Sequence, residues 1–508
     1  MLQRSMLLAL CLVSLAKISV AAAPSLVDAS IEDIQTMMTN EDVSSVDLVT
    51  WYLARIETYD KNGPNLNAIK YSNLLALAQA KALDQERKAS GPRSSLHGIP
   101  LVIKDNYETI DAPTSAGSAI LADHWPKRDA EQVKRLKQAG AIILAKTNMH
   151  EFAYGWTTRG SSFGVTRNPY DPNRHPGGSS GGTGAAVAAN LATAGMGSDT
   201  CGSIRVPAAH NNLVGLRGTQ GLSSRAGIIP LSSSRDIGGP LARNVRDLAI
   251  LLDNTVGYDP LDSQTGESLG KIPDSYLSDL KKLDLKELRI GVLSHWFGPE
   301  KALGSANNAV RSLLEKLQNA GATVLELSSP ELQSMQKETT APSSGFIDNY
   351  DLKQDLPAYL AQFPSFAQTS FADLANDSRL EKGVAKLWQD IRNPRFDSHT
   401  TYLERQADGR LMRQKLLNLM GTNQLDALVY PTATEESFLV GQDQMHFNCR
   451  LASASGLPAI SVPAGFGVQG LPLAIEFLAE PWSEQKLLNL AYTIEQLAPA
   501  RRSPQLIP

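Results

Sequence analysis

Residues 98–106, GIPLVIKDN, and residues 130–145, AEQVKRLKQAGAIILA, decide the fold class. The run Ile99 to Ile103 is short, apolar and β-branched, so it reads as a buried strand that ends at Lys104, Asp105 and Asn106. Ala130 to Ala139 is an amphipathic helix stopped by Gly140, and Ala141 to Ala145 is a second buried strand. Alternation of strand and helix predicts an α/β sheet. Farther along, Arg289–Leu293, Ala427–Tyr430 and Ala459–Val462 read as strands and Glu484–Leu497 as an amphipathic closing helix. Ser30–Thr39 and Ser45–Tyr59 read as capped helices expected to pack outside the core, and 331–423 as mostly helical and polar. No strong linker, repeat or low-complexity tract divides the chain. The expectation is one compact unit.

Two Gly-rich stretches hold the chemistry. Residues 161–184 are dense in Gly, Ser, Pro and Asn, and 196–207 are Gly-rich again, with a small apolar helix expected between them over Ala185–Gly195. The run Gly177-Gly178-Ser179-Ser180-Gly181-Gly182 is not a phosphate loop, because no Lys follows its last Gly. It is not a nucleophile elbow either, because Asn173-Arg174-His175-Pro176 precedes it where a strand is required. His210 and His446 have no local context that marks a base. Ser334–Lys337 and Ser483–Lys486 match the S-x-x-K pattern, but they lie on polar helix faces and lack the companion K-T-G element. Both read as solvated surface.

Read together, Gly177 to Ala208, GGSSGGTGAAVAANLATAGMGSDTCGSIRVPA, closely resembles the defining signature of the amidase signature family. Similarity continues through Gly98–Asn106, Gly140–Asn148, Gly215–Pro230 and Gly456–Gly465, nearly the whole chain. Ala145 stands where the family usually has Gly, and Cys201 where it prefers Gly or Ala. The resemblance implies a single large α/β domain whose central mixed β-sheet is covered by helices on both faces. It implies Ser203 as nucleophile, Ser179 as bridging serine and Lys104 as base, with a cis peptide bond between Gly178 and Ser179. Backbone N–H groups of Thr200, Cys201, Gly202 and Ser203 are the implied oxyanion hole. Ser180, Asp199 and Arg205 are read as supports that hold the loops. Cys201 is expected to act sterically, narrowing the site near the acyl carbon.

These roles make physical sense without the family. Amide hydrolysis needs a nucleophile, a base that returns a proton to the leaving nitrogen, and donors for the tetrahedral oxyanion. Lysine is a base only when neutral, and burial at the end of an apolar strand lowers its pKa.

The expected reaction is therefore cleavage of a carboxylic amide to carboxylate and ammonia or amine through an acyl-enzyme on Ser203, with no metal and no cofactor. Two alternatives are the catalytic subunit of a tRNA-dependent amidotransferase and a non-catalytic amide-binding protein on the same fold. Phe346–Leu360, with Tyr350, Lys353 and Tyr359, is similar to what stand-alone peptide amidases of the family carry.

Arg4, the apolar run Met6–Ala16 and small residues at Ser19 and Ala21 have the layout of a secretory signal peptide. Residues 1–21 are expected to be that signal and 22–508 the domain, in an exported, periplasmic or extracellular protein. With 48 Lys and Arg against 52 Asp and Glu, interspersed, the sequence shows no basic block for nucleic acid or membrane. The expected partner is a small-molecule or short-peptide amide. Three cysteines, one of them Cys11 in the signal, exclude a disulfide framework but leave open one bridge between Cys201 and Cys449.

Overall fold

The computed structural model describes residues 25–298, 304–444 and 446–508. The signal segment 1–21 lies outside the described residues. In chain order the strands are β1 Ile69–Ser72, β2 Pro100–Lys104, β3 Ile142–Thr147, β4 Arg159–Gly160, β5 Gly164–Val165, β6 Ala194–Asp199 and β7 Val214–Arg217. They continue with β8 Ile237–Ala242, β9 Arg289–Leu293, β10 Thr323–Leu327, β11 Ala427–Pro431, β12 Ala459–Phe466 and β13 Pro472–Leu478. All except the β4–β5 hairpin join one 11-stranded sheet in the order β1-β3-β2-β6-β8-β7-β12-β13-β11-β9-β10. The sheet is mixed: β2 runs parallel to β3 and β6, and β9 parallel to β10 and β11, while the other neighbours are antiparallel. This is the expected single α/β domain with helices over both faces.

Period-two alternation decides which face each side chain meets. Along β2, Leu101 and Ile103 enter one apolar cluster, with Ile31, Ile34, Val133 and Leu248. Val102 enters the other, with the helix Gly181–Ala188 and Ile204. Lys104 follows Val102 by two residues and so shares its face. β11 repeats the pattern, with Ala427 and Val429 on one side and Leu428 and Tyr430 on the other.

Two sequence expectations change. Helices Ile31–Thr39 and Ser45–Arg55 carry capping boxes at Ser30 and Ser44, yet Ile31, Ile34 and Leu48 are fully buried in the main cluster. Their apolar faces cover the sheet, each such side chain contributing about 1.5–3 kcal/mol when buried. The helix expected over 185–195 starts earlier, at Gly181, and ends at Ala188, while the Gly-rich 194–199 is strand β6. Close packing explains those glycines: a Cβ at Gly195 would lie 2.6 Å from Thr183 Cγ2, and one at Gly197 2.8 Å from Ser180 Oγ. The helix therefore sits directly on β6, which brings Ser179 and Ser180 over the strand that leads to Ser203.

Candidate active site

Lys104 closes β2 and is completely buried. Burial disfavours its ammonium form and lowers its pKa to about 7, against the opposing pull of Asp236 and Asp199. Its Nζ lies 2.7 Å from Ser179 Oγ, 2.8 Å from Ser198 Oγ and 3.2 Å from the Ser198 carbonyl. Asn106 Nδ2 donates to the same Ser198 Oγ at 3.0 Å. A neutral amine has two N–H donors and one lone pair. With the donors turned to Ser198, the lone pair is left for the Ser179 hydroxyl. Ser198 and Asn106 thus orient the amine, a role the sequence reading did not assign although both residues stand in the quoted motifs.

Ser179 is held at the N-terminal side of the helix Gly181–Ala188, and the bond Gly178–Ser179 is cis. Its carbonyl accepts from His150 N at 2.9 Å. Ser203 precedes the helix Arg205–His210 and is buried. The two loops meet through Ser180 N, which donates to the Ser203 carbonyl at 3.2 Å, and Ser180 Oγ, which donates to the Ser198 carbonyl at 3.2 Å. Among the described residues no hydrogen bond joins Ser179 Oγ to Ser203 Oγ. The structure therefore brings Lys104 to Ser179 directly, and Ser203 to them through the loop that Ser180 ties.

Asp199 organises the turn between β6 and Ser203. It accepts from Gly202 N at 2.8 Å and Ile204 N at 3.2 Å, from Arg205 Nε and Nη2 at 3.1 Å each, and from Arg217 Nη1 at 3.1 Å. Burial alone would raise its pKa, but Arg205 and Arg217 more than offset this and hold the carboxyl well below the usual range. Arg205 also pairs with Glu476, which accepts from Tyr430 OH at 2.8 Å. Of the four expected oxyanion donors, Gly202 N–H is thus occupied by Asp199. Thr200, Cys201 and Ser203 remain. The Thr200 carbonyl accepts from Ser453 Oγ at 2.6 Å and the Cys201 carbonyl from Trp156 Nε1 at 2.8 Å. Thr200 Oγ1 bonds the buried Asp236.

Cys201 is joined to Cys449, 248 residues away, with Cα atoms 5.3 Å apart. The side chain read as a steric element near the acyl carbon is thus tied to the segment before the helix Arg450–Ser455. The competing motifs behave as surface or structure. Ser334 and Lys337 are exposed, His446 pairs with Glu435, and among the described residues neither ring nitrogen of the buried His210 finds a hydrogen-bond partner. Phe346–Leu360 is one helix, on which Tyr359 OH donates to Glu108 at 2.8 Å, Lys353 pairs with Asp397, and Tyr350 stacks on Tyr402.

Known proteins share this arrangement of chain and fold. The family model described as Amidase matches residues 47–488. The chain is 35% identical over 487 residues to the glutamyl-tRNA(Gln) amidotransferase A subunit of Pseudomonas aeruginosa, covering 92% of this chain and 97% of that one. It superposes on the native peptide amidase of Stenotrophomonas maltophilia with a TM-score of 0.85 and 35% identity, over 94% of this chain and 98% of that one. Against the glutamyl-tRNA(Gln) amidotransferase A subunit of Thermotoga maritima the TM-score is 0.75 at 26% identity, over 94% and 98%. The expectation of no nucleic-acid partner does not fit the names of the two amidotransferase proteins.

Proposed function

This chain belongs to the amidase family, and from that premise we propose that it hydrolyses a carboxylic amide by way of an ester on Ser203. The observation that carries the proposal is the buried Lys104 amine, whose pKa burial lowers to about 7, with its Nζ 2.7 Å from Ser179 Oγ. Lys104 takes the Ser179 proton as Ser179 takes that of Ser203, and Ser203 Oγ adds to the amide carbon. The oxyanion that forms meets the N–H groups of Thr200, Cys201 and Ser203, the Gly202 N–H being held by Asp199. The relay then returns a proton to the departing nitrogen, which leaves as ammonia or amine, and water cleaves the Ser203 ester to the carboxylate.

We assign the chain to stand-alone enzymes acting on a small-molecule or short-peptide amide. The higher TM-score to the peptide amidase than to the Thermotoga protein supports this, and so does the helix Phe346–Leu360. The segment 1–21 supports export to the periplasm or exterior. A second reading, a catalytic subunit of a tRNA-dependent amidotransferase, is favoured by the 35% identity to the Pseudomonas protein over 92% of the chain. A non-catalytic binder is disfavoured by the presence of Lys104, Ser179 and Ser203 together.

The test is release of ammonia or amine by the purified chain from a panel of short-chain, aromatic, fatty and peptide amides and glutamine, beside Ser203→Ala and Lys104→Ala. Turnover by the chain alone, lost in both variants, supports the stand-alone hydrolase. Release from glutamine alone that appears only with tRNA and the other amidotransferase subunits supports the second reading. A folded wild type that neither turns over nor reacts with a fluorophosphonate defeats both.

A further inference from the structure

The peptide planes that carry the oxyanion donors are gripped from the far end of the chain. Cys449 is bridged to Cys201, and its Cβ packs so closely on Gly202 that a Cβ there would lie 2.5 Å away. One helical turn on, Ser453 Oγ donates to the Thr200 carbonyl at 2.6 Å. Arg205 Nη2 donates to the Cys449 carbonyl at 3.2 Å, so the side chain that holds Asp199 also holds the start of this helix. On the other side Trp156 Nε1 holds the Cys201 carbonyl at 2.8 Å.

A trans peptide is planar, with its C=O and N–H pointing opposite ways. Fixing the Thr200 carbonyl on Ser453 therefore aims the Cys201 N–H away from the helix Arg450–Ser455. Fixing the Cys201 carbonyl on Trp156 aims the Gly202 N–H at Asp199, where it is found. The bridge from Cys201 to Cys449 anchors the Cα at which these two planes meet. Among the described residues the Cys201 N–H has no hydrogen-bond partner, and it is thereby left directed and free.

We propose that Cys201–Cys449 and Ser453 form a clamp that positions the Cys201 N–H as an oxyanion donor, so that acylation of Ser203 depends on an oxidised bridge. The proposal rests on the hydrolase reading above. Cys201, Cys449 and Ser453 act here as positioning residues. Closing the bridge takes two protons and two electrons from the two thiols. Thiol–disulfide exchange supplies the acceptor: an external disulfide is reduced to two thiols as the Cys201–Cys449 bond forms. The clamp accordingly closes in an oxidising compartment, which agrees with export.

The rate of Ser203 phosphonylation by a fluorophosphonate reads the clamp, because that reaction also develops charge on an oxygen in the same turn. The full-length protein is compared as oxidised, after incubation with a dithiol, and after re-oxidation with a small disulfide, with thiols counted by alkylation and mass. Cys449→Ala and Ser453→Ala are measured alongside, with circular dichroism to count folded protein. The expected result is a maximal rate lower by about tenfold on reduction and in Cys449→Ala, and by a smaller factor in Ser453→Ala, with the half-saturating probe concentration within about twofold. Re-oxidation restores the wild type.

If the buried bridge resists the dithiol, Cys449→Ala supplies the open form. An unchanged maximal rate in folded protein with the bridge absent overturns the clamp and leaves the hydrolase intact. A rate that falls only in proportion to the folded fraction also overturns it, showing a staple for stability. Wild type that never labels overturns the hydrolase reading and the clamp with it.

Discussion

Two regions of this molecule treat polar side chains in opposite ways. Between β2 and β8 the sheet buries Lys104, Asp105, Asn106, Ser179, Ser180, Ser198, Asp199, Ser203, Arg205 and Arg217 almost completely. The charged members are paired or hydrogen-bonded, Asp199 by five donors. Between 330 and 423 the helices leave Glu331, Ser334, Lys337 and Glu338 in solvent, with Leu387, Leu403 and Leu411 about half exposed. Glu331, Ser334, Lys337, Glu338 and Leu411 border a cavity of about 500 Å³ whose walls also include Met335, Phe346, Arg405, Met412 and Arg450. A buried charge that loses its partner costs several kcal/mol, whereas an exposed pair contributes about 0–1 kcal/mol. The first region can therefore change little without losing its chemistry, while the second is free to vary in shape and charge.

The comparison breaks most visibly at Ser203, the proposed nucleophile. Ser203→Ala is expected to lower kcat by about 10⁴-fold or more without altering the circular dichroism spectrum. Measurable turnover at a tenth of the wild-type rate would remove Ser203 from the chemistry.

At Lys104 the expected loss in Lys104→Ala is about 10³-fold. The wild-type pH profile carries the same information. Burial lowers the Lys104 pKa to about 7 and the base acts only when deprotonated, so kcat/KM should climb as pH rises to about 7 and level off above it. A flat profile between about pH 5 and about pH 9 would contradict a lysine base.

Stability sharpens the contrast. Asp199→Ala leaves Arg205 and Arg217 buried without their shared carboxylate and should cost about 3 kcal/mol or more in urea unfolding. In the helical region Lys415→Met removes an exposed pair with Glu331 and should shift unfolding by less than about 0.5 kcal/mol, with kcat on a small amide unchanged within about twofold. Comparable losses for the two variants would mean that the regions do not differ as their burial implies.

The sequence by itself determined the local periods and the motif chemistry. β2 and β9 fall where apolar β-branched runs place them, Glu484–Leu497 is the helix its spacing predicts, and the Gly-rich turns carry the serines that the structure sets beside β6. These features depend on neighbours a few residues apart, which a linear pattern can encode. Other features needed the sheet order. The helix Ile31–Thr39 looks like a surface helix from its own polarity, yet it covers the sheet, because burial depends on what packs against a face. The strand Ala194–Asp199 was hidden by its glycines, which are small for the sake of a helix that crosses them. Gly202 N–H turns to Asp199, Arg205 finds Glu476, and Ser198 orients Lys104, and none of these choices follows from spacing alone. Cys449 reaches Cys201 because β12 pairs with β7, which returns the chain before Ala459 to the turn after β6. That meeting across 248 residues is a property of the folded sheet. No local pattern contains it, because the atoms that must meet share no neighbours until the strands between them have paired.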